Sequence, residues 1–376
     1  MRILIAPDSF KESLSAIEVA QAIKQGFSKV YPQASYDLLP LGDGGEGTLD
    51  SLTQALDLEK YQTEVTGPFG DRICVDYAMR DGLAVFEMAA IVGLASIPLE
   101  KRNPLQVSTR GVGELLVELV QKGANQFFIG IGGSASHDGG IGMAAGLGVK
   151  FYDREGQELE AIGANLGKIT DFSQDDIDID LSSVQIDLVT DVDNLLCGHQ
   201  GATYIFAGQK GLEATDFEQL DREMERFYQL VNPTILTLAG AGAGGGMAAG
   251  LVQFAGARIQ TGINFVLDQL DFDKRVAEAD LVIVGEGRMD AQSLAGKTPI
   301  GVARRTPAHI PIIAICGSLK DDLPDFPFEN ICAAFPIIAE VDDLENTLKK
   351  GEKNLVRTAE QVARILQLGG KLEEFN

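Results

Sequence analysis

Four short segments of the 376-residue chain gather glycine together with Asp, Glu, Ser, Lys or Arg, the residue types that bind anions and move protons. In the first, APDSFKESLSA, Asp8, Ser9 and Lys11 follow a short apolar run. Lys11 is placed to meet an anion there, while Asp8 and Ser9 also read as turn formers. The second, LGDGGEGT, sets Asp43 and Glu46 among glycines that let backbone approach a ligand. Two such carboxylates suit a hydrated Mg²⁺ or a hydroxyl proton, and Glu46 equally suits the first turn of a helix. The third, GIGGSASHDGG, offers Gly132, Gly133, Ser134, Ala135 and Ser136 as a nest of N–H and hydroxyl donors before a small-residue helix that Asp138 could cap. His137 reads as a hydrogen-bonding surface residue rather than a catalyst. Further on, TDVDN places Asp191, Asp193 and Asn194 past an apolar run, as metal or hydroxyl ligands or as a cluster of Asx-turns. The fourth, GEGRMDAQSLAGKT, holds Glu286, Arg288, Asp290 and Lys297. Its GKT is not a phosphate-loop motif, because Ala291 stands where that motif needs glycine. Many backbone donors, few cations, several carboxylates and no Ser–His–Asp or metal–histidine set match phosphoryl transfer, which needs positioning and charge stabilisation more than covalent help.

These segments must be held at strand ends. RILIA is a short buried strand, and Ser15 to Val30 has helical apolar spacing behind a capping box of Ser15 with Glu18. YDLLPLG reads as the next strand, and a helix starts near Glu46. Towards the C-terminus ADLVIVGEG, PIIAICGS and ICAAFPI read as buried strands, KTPIGVARRT as a helix with Pro299 in its first turn, and Leu344 to Leu366 as one long amphipathic helix. Continuous apolar strands alternating with helices imply a doubly wound parallel sheet covered on both faces. From about residue 67 to 278 the strands alternate more, and RDG reads as a hairpin turn. The expected organisation is therefore a discontinuous α/β domain, residues 1–66 plus 279–376, interrupted by a second α/β domain, residues 67–278. In an open parallel sheet ligands bind outside the carboxyl ends of the strands, where all four segments fall.

Composition narrows the partners. Thirty-one Lys and Arg against 55 Asp and Glu give a net charge of −24, which repels nucleic acid. An anionic substrate must then find its own local cations or N–H groups. No apolar run approaches the roughly 18 residues of a membrane span, and the N-terminus lacks the pattern of a signal peptide. Cys74, Cys197, Cys316 and Cys332 lack CxxC spacing and read as reduced thiols of a cytoplasmic protein.

Taken together, APDSFKESLSA, LGDGGEGT, STRGVGEL, GIGGSASHDGG, TDVDN, QKG and VGEGRMDAQSLAGKTPIGVA resemble the motif series of the bacterial class I glycerate kinase family, in order and spacing over essentially the whole chain. The resemblance implies ATP-dependent phosphorylation of D-glycerate with Mg²⁺, usually to 2-phosphoglycerate. It also implies a flavodoxin-like domain interrupted by a restriction-endonuclease-like one, with the active site in the cleft between them. Among the matched positions, Asp43 or Asp191 would take the hydroxyl proton. Arg288, or second Lys11, would clamp the glycerate carboxylate beside Asp8, Ser9 and Glu46. Gly132 to Ser136 would hold ATP phosphates, Lys297 would neutralise phosphoryl charge, and Glu286, Asp290 or Asp193 would hold Mg²⁺. The chain departs from the usual motifs at Gly42, Ser136, His137, Thr190, Leu195, Ala207 and Gly208, none of which removes a charged residue. A non-catalytic sugar-acid sensor, or a kinase for another short hydroxy acid, stays open as an alternative, as does a homo-oligomer.

Overall fold

The computed structural model describes residues 1–42, 48–261, 263–291, 293–295 and 297–373; Asp43 and Glu46 lie outside the described residues. Two sheets carry most of the strands: β1 (Arg2–Ile5), β2 (Ser35–Leu38), β3 (Glu59–Thr66), β4 (Arg72–Arg80), β5 (Leu83–Glu87), β6 (Gln126–Gly130), β7 (Gln185–Thr190), β8 (Arg258–Thr261), β9 (Leu281–Val284), β10 (Ile312–Cys316) and β11 (Ile331–Pro336). The helices needed below are α1 (Ala16–Ser28), α2 (Arg110–Gln121), α3 (Ile141–Leu147), α4 (Phe217–Val231), α5 (Thr298–Arg305), α6 (Leu344–Lys349) and α7 (Gly351–Glu373).

The chain divides into two compact units, one made of Met1–Asp43, Asp50–Asp57 and Gly262–Asn376, the other of Gly44–Leu49 and Leu58–Thr261. These limits differ from the expected 66 and 278. β3 pairs antiparallel with β4 along its whole length, which draws it into the second unit. The helix Ile263–Gln269 packs on α5, which draws it into the first.

In the first unit five strands run parallel in the order β2-β1-β9-β10-β11. β9 and β10 are buried at every residue, as continuous apolar strands of a two-faced sheet must be. The expected capping box is present: the Ser15 hydroxyl accepts from the Glu18 N–H, and the Glu18 carboxylate accepts from the Ser15 N–H. Val19, Ile23 and Phe27 of α1 share one core with Ile3, Ile5 and Ile283 of the sheet and with Leu355, Ala359 and Val362 of α7. Each such fully buried large side chain stabilises the fold by roughly 1.5–3 kcal/mol.

The single helix expected over 344–366 is two helices, α6 and α7, broken at Lys350. The break has a packing reason. It lets the Leu348 carbonyl accept a 2.8 Å hydrogen bond from Ser13 Oγ, and it sets Gly351 so close to Ser13 that a Cβ there would lie 2.3 Å from that hydroxyl.

The second unit has a six-stranded sheet in the order β8-β7-β6-β5-β4-β3. β8, β7, β6 and β5 are parallel; β4 and β3 add antiparallel edges. The turn read from RDG joins β4 to β5 through Asp81 and Gly82, both at positive φ, as a two-residue hairpin turn requires.

Helices α1 and α7 approach so closely at Gly26 that a Cβ would stand 2.5 Å from the Val356 carbonyl and 2.6 Å from Ala359 Cβ. Gly26→Val should therefore destabilise the chain by about 1–3 kcal/mol through overpacking, read as a lower urea midpoint. A midpoint equal to wild type would mean that this interface is not packed as described.

Candidate active site

The loops that follow β1, β9 and β10 enclose a cavity of about 430 Å³ in the first unit. Seven of the residues expected from sequence line it: Asp8, Ser9, Lys11, Glu286, Arg288, Asp290 and Lys297. Each is placed by a local device. After β1, the Asp8 carboxylate accepts the Ser9 N–H at 2.6 Å and the Thr298 hydroxyl at 2.9 Å, tying the strand end to the start of α5. The next residues form a tight turn, with the Phe10 N–H and the Leu14 carbonyl 2.8 Å apart, and Lys11 sits at its bend. After β9, Arg288 and Met289 pair in parallel with Ser318 and Leu319. Asp290 and the buried Ser293 bond one another at 3.2 Å, closing the loop before α5. Lys297 is the N-cap residue of α5, ahead of Pro299 in its first turn as expected.

The electrostatics of this cavity are unbalanced. Among the described residues Lys11, Arg288 and Lys297 make no ion pair. Glu286 is buried, and among the described residues its Oε1 has no hydrogen-bond partner. Burial pushes its carboxyl up to about 7, against a hydrogen bond from Ser293 and the charge of Lys297. Three cations without an ion pair among the described residues, beside a buried carboxylate, are groups that could receive an anion accompanied by a cation. Among the described residues no group of three His, Cys, Asp or Glu could hold a metal by itself. Mg²⁺ does not need one, since it is commonly held by one or two carboxylates with waters and substrate phosphates, and Glu286 with Asp290 fits that pattern.

The remaining expected residues lie in the second unit. Gly132 to Ser136 follow β6, and Asp191 and Asp193 follow its neighbour β7, so both loops leave the carboxyl ends of adjacent parallel strands. Asp191 and Asp193 are exposed. In that loop the Thr190 hydroxyl accepts from the Val192 N–H, the Asp193 carbonyl accepts from the Gly240 N–H, and the Asn194 amide donates to the Gln200 carbonyl.

In GIGGSASHDGG the expected capping role of Asp138 is present, so the N–H groups at the start of α3 are taken. The Asp138 carboxylate accepts from Gly140 and Gly142 at 2.9 and 3.2 Å, and the Thr109 hydroxyl accepts from Met143 at 2.8 Å. Ser134, Ala135 and Ser136 are buried, which leaves half-buried Gly132 and exposed Gly133 as the accessible part of the segment. His137 is not on the surface either. It is 2% exposed, with Nε2 3.0 Å from Thr203 Oγ1 and, among the described residues, no partner for Nδ1. Burial, with the nearby Lys210 charge, pushes it down to about 3, so it is neutral and unsuited to shuttling protons near pH 7.

Lys210 was legible only as part of the QKG motif. It is 3% exposed, and its Nζ donates to Ser134 Oγ and to the Ser136 carbonyl, each at 2.8 Å. A lysine inside the small and apolar run FAGQKG was the available signal.

The model of the glycerate kinase family matches residues 3–367. The chain belongs to the glycerate kinase family. It is 52% identical to the glycerate kinase of Neisseria meningitidis serogroup B over 98% of this chain and 99% of that one. It is 39% identical to the glycerate 2-kinase of Escherichia coli K12 over 98% and 99%. A solved structure described as glycerate kinase 2 from Salmonella typhimurium LT2 superposes with a TM-score of 0.86 at 40% identity, covering 99% of both chains. The enzyme is thus a kinase, an α/β protein with parallel strands, and its substrate is a small molecule. No described helix is long and apolar enough to cross a membrane.

Burial lowers Lys210 to about 7, opposed by the charge of Asp138, against about 10.4 for a lysine in the unfolded chain. Between those values the unfolded state holds more protons, so this group adds stability as pH rises from 7 towards 10, and its burial penalty is fully present below 7. Wild type should accordingly gain denaturation midpoint relative to Lys210→Met between pH 7 and 9.5. Parallel pH profiles would show that Lys210 is not buried as a titrating amine.

Proposed function

We propose that this chain transfers the γ-phosphoryl group of ATP to D-glycerate, giving 2-phosphoglycerate and ADP. What carries the reading is the cavity at the ends of β1 and β9, where Lys11, Arg288 and Lys297, without an ion pair among the described residues, line the same space as Glu286 and Asp290, in a chain of the glycerate kinase family. The position of transfer is suggested by the name of the Escherichia coli relative, glycerate 2-kinase.

In this reading the glycerate hydroxyl oxygen attacks the γ-phosphorus, the bond to the leaving ADP oxygen breaks, and a carboxylate receives the hydroxyl proton. Asp43 and Asp191 are the candidates for that carboxylate. Arg288 clamps the glycerate carboxylate, since a guanidinium meets a carboxylate through two parallel bonds. Lys297 and Lys11 neutralise phosphate charge, and Gly132 and Gly133 offer N–H groups to an anionic oxygen. Glu286 and Asp290, with exposed Asp193 as a third candidate, would hold Mg²⁺, which when bound supplies positive charge to the transferring phosphoryl oxygens. Asp8 acts through Thr298, keeping the end of β1 against the start of α5.

The wholly parallel order β2-β1-β9-β10-β11 supports a flavodoxin-like reading of the first unit. The mixed sheet of the second supports its reading as an inserted α/β domain of restriction-endonuclease-like type. Four free cysteines favour a cytoplasmic location.

A ³¹P spectrum of the products from ATP and D-glycerate tests the reading: a 2-phosphoglycerate signal is expected, and absence of any phosphoglycerate would overturn it. Arg288→Lys should raise glycerate KM about tenfold while ATP KM moves little, because one of two parallel bonds is lost. The Asn variant at position 43 or 191 that removes the base should lower kcat by about 10²-fold or more. If both variants stay within a few-fold, neither carboxylate is the base.

A further inference from the structure

Glycerate is a three-carbon acid with two hydroxyls and almost no apolar surface, yet the cavity in the first unit also has large apolar side chains in its lining. Its volume of about 430 Å³ belongs to the range of larger ligands, roughly 300–1,000 Å³. Besides the three cations it is lined by Phe10, Ile337, Ile338, Leu344 and Leu348. Ile338 and Leu344 line it while 48% and 70% exposed, a contact with water that a flat apolar ligand would remove. The segment between them is held in place, since Lys350 Nζ pairs with Glu340 at 2.6 Å and with Asp342 at 2.7 Å.

Asn354, in the first turn of α7, also lines the cavity. It is only 8% exposed, and among the described residues its side-chain amide has no hydrogen-bond partner. The amide still reaches the solvent of the cavity, so it can exchange that contact for a ligand there. An amide presents a donor and an acceptor side by side, complementary to an adenine edge, where the exocyclic N–H lies next to a ring nitrogen.

We propose that this cavity is the nucleoside end of the ATP site, with the adenine against Ile338 and Leu344, its edge read by Asn354, and the phosphates running towards Lys11 and Lys297. The site lies at the ends of β1, β9 and β10, where the strand order reverses and doubly wound sheets take nucleotides. The proposal rests on the kinase reading above and adds to it the location and the recognition of the base.

The test is titration of the full chain with a fluorescent ATP analogue and the matching GTP analogue, alongside the KM values for ATP and glycerate. Leu344→Asp changes an exposed side chain and should weaken ATP binding about tenfold, with glycerate KM within about twofold. Asn354→Asp replaces donor and acceptor with two acceptors, which match the adjacent N–H groups of guanine. It should shift the ratio of ATP to GTP affinity towards GTP by about tenfold, an effect that a merely structural role would not produce. ATP affinity within twofold of wild type in Leu344→Asp, or equal loss of both nucleotides in Asn354→Asp, would overturn the site. If Asn354→Asp does not fold, judged by its circular dichroism, Leu344→Asp decides alone. A wild-type chain that binds ATP in this way but makes no ADP with glycerate would overturn the kinase reading instead, and leave the site standing.

Discussion

The first unit is organised by a backbone contact that has no room for a side chain. Where β9 and β10 end, their loops run against each other: a Cβ on Gly285 would lie 2.3 Å from the Ile315 carbonyl, and one on Gly317 would lie 2.2 Å from the Gly287 carbonyl. The contact is closed by hydrogen bonds from Gly317 N–H to the Glu286 carbonyl and from Ser318 N–H to the Gly287 carbonyl. Real Cβ atoms do not approach this closely, so only glycine permits the interlock. Glu286, Arg288 and Asp290 are carried on the locked segment, which is why their side chains reach one cavity from a loop rather than from a rigid element.

The second unit depends on a different device, a buried polar cluster under its glycine-rich loop. Asp138 is fully buried and takes three donors, from Thr109, Gly140 and Gly142, while Lys210 spends its protons on Ser134 and Ser136. Burying two charges in this way is expensive, and apolar replacements of similar volume often stabilise a fold more. What the cluster supplies is geometry. It sets the turn that leaves Gly132 and Gly133 accessible, and it holds the start of α3 closed to outside anions. The Tyr228 hydroxyl of α4, bonded to the Gly139 carbonyl at 2.7 Å, extends the same network into the core.

Much of the fold was legible because local rules and tertiary demands agree. The apolar runs of β1, β9 and β10, the Ser15–Glu18 capping box, Pro299 in the first turn of α5 and the Asp81–Gly82 turn all follow from residue chemistry within a few positions. The chemistry-bearing residues of the first unit were legible for a similar reason: strand ends are where a parallel sheet exposes loops. The misread features have distant causes. Helical periodicity runs straight through Lys350, but Ser13, more than 300 residues earlier, needs the Leu348 carbonyl. His137 has the neighbours of a surface turn, but the fold places Thr203 beside its ring and Lys210 beneath its loop.

The sequence by itself determined the family, the alternation of strands and helices, and the inventory of cations, carboxylates and glycines that phosphoryl transfer requires, since each is a matter of residue type and short spacing. Only the tertiary structure decided which members of that inventory share a cavity, which N–H groups are already taken, and that Asn354, Ile338 and Leu344 stand beside Lys11 and Arg288. The physical reason is that burial, pairing and desolvation are set by neighbours hundreds of residues apart. The same carboxylate or amide becomes a cap, a structural tie or an open binding group according to what the fold brings against it.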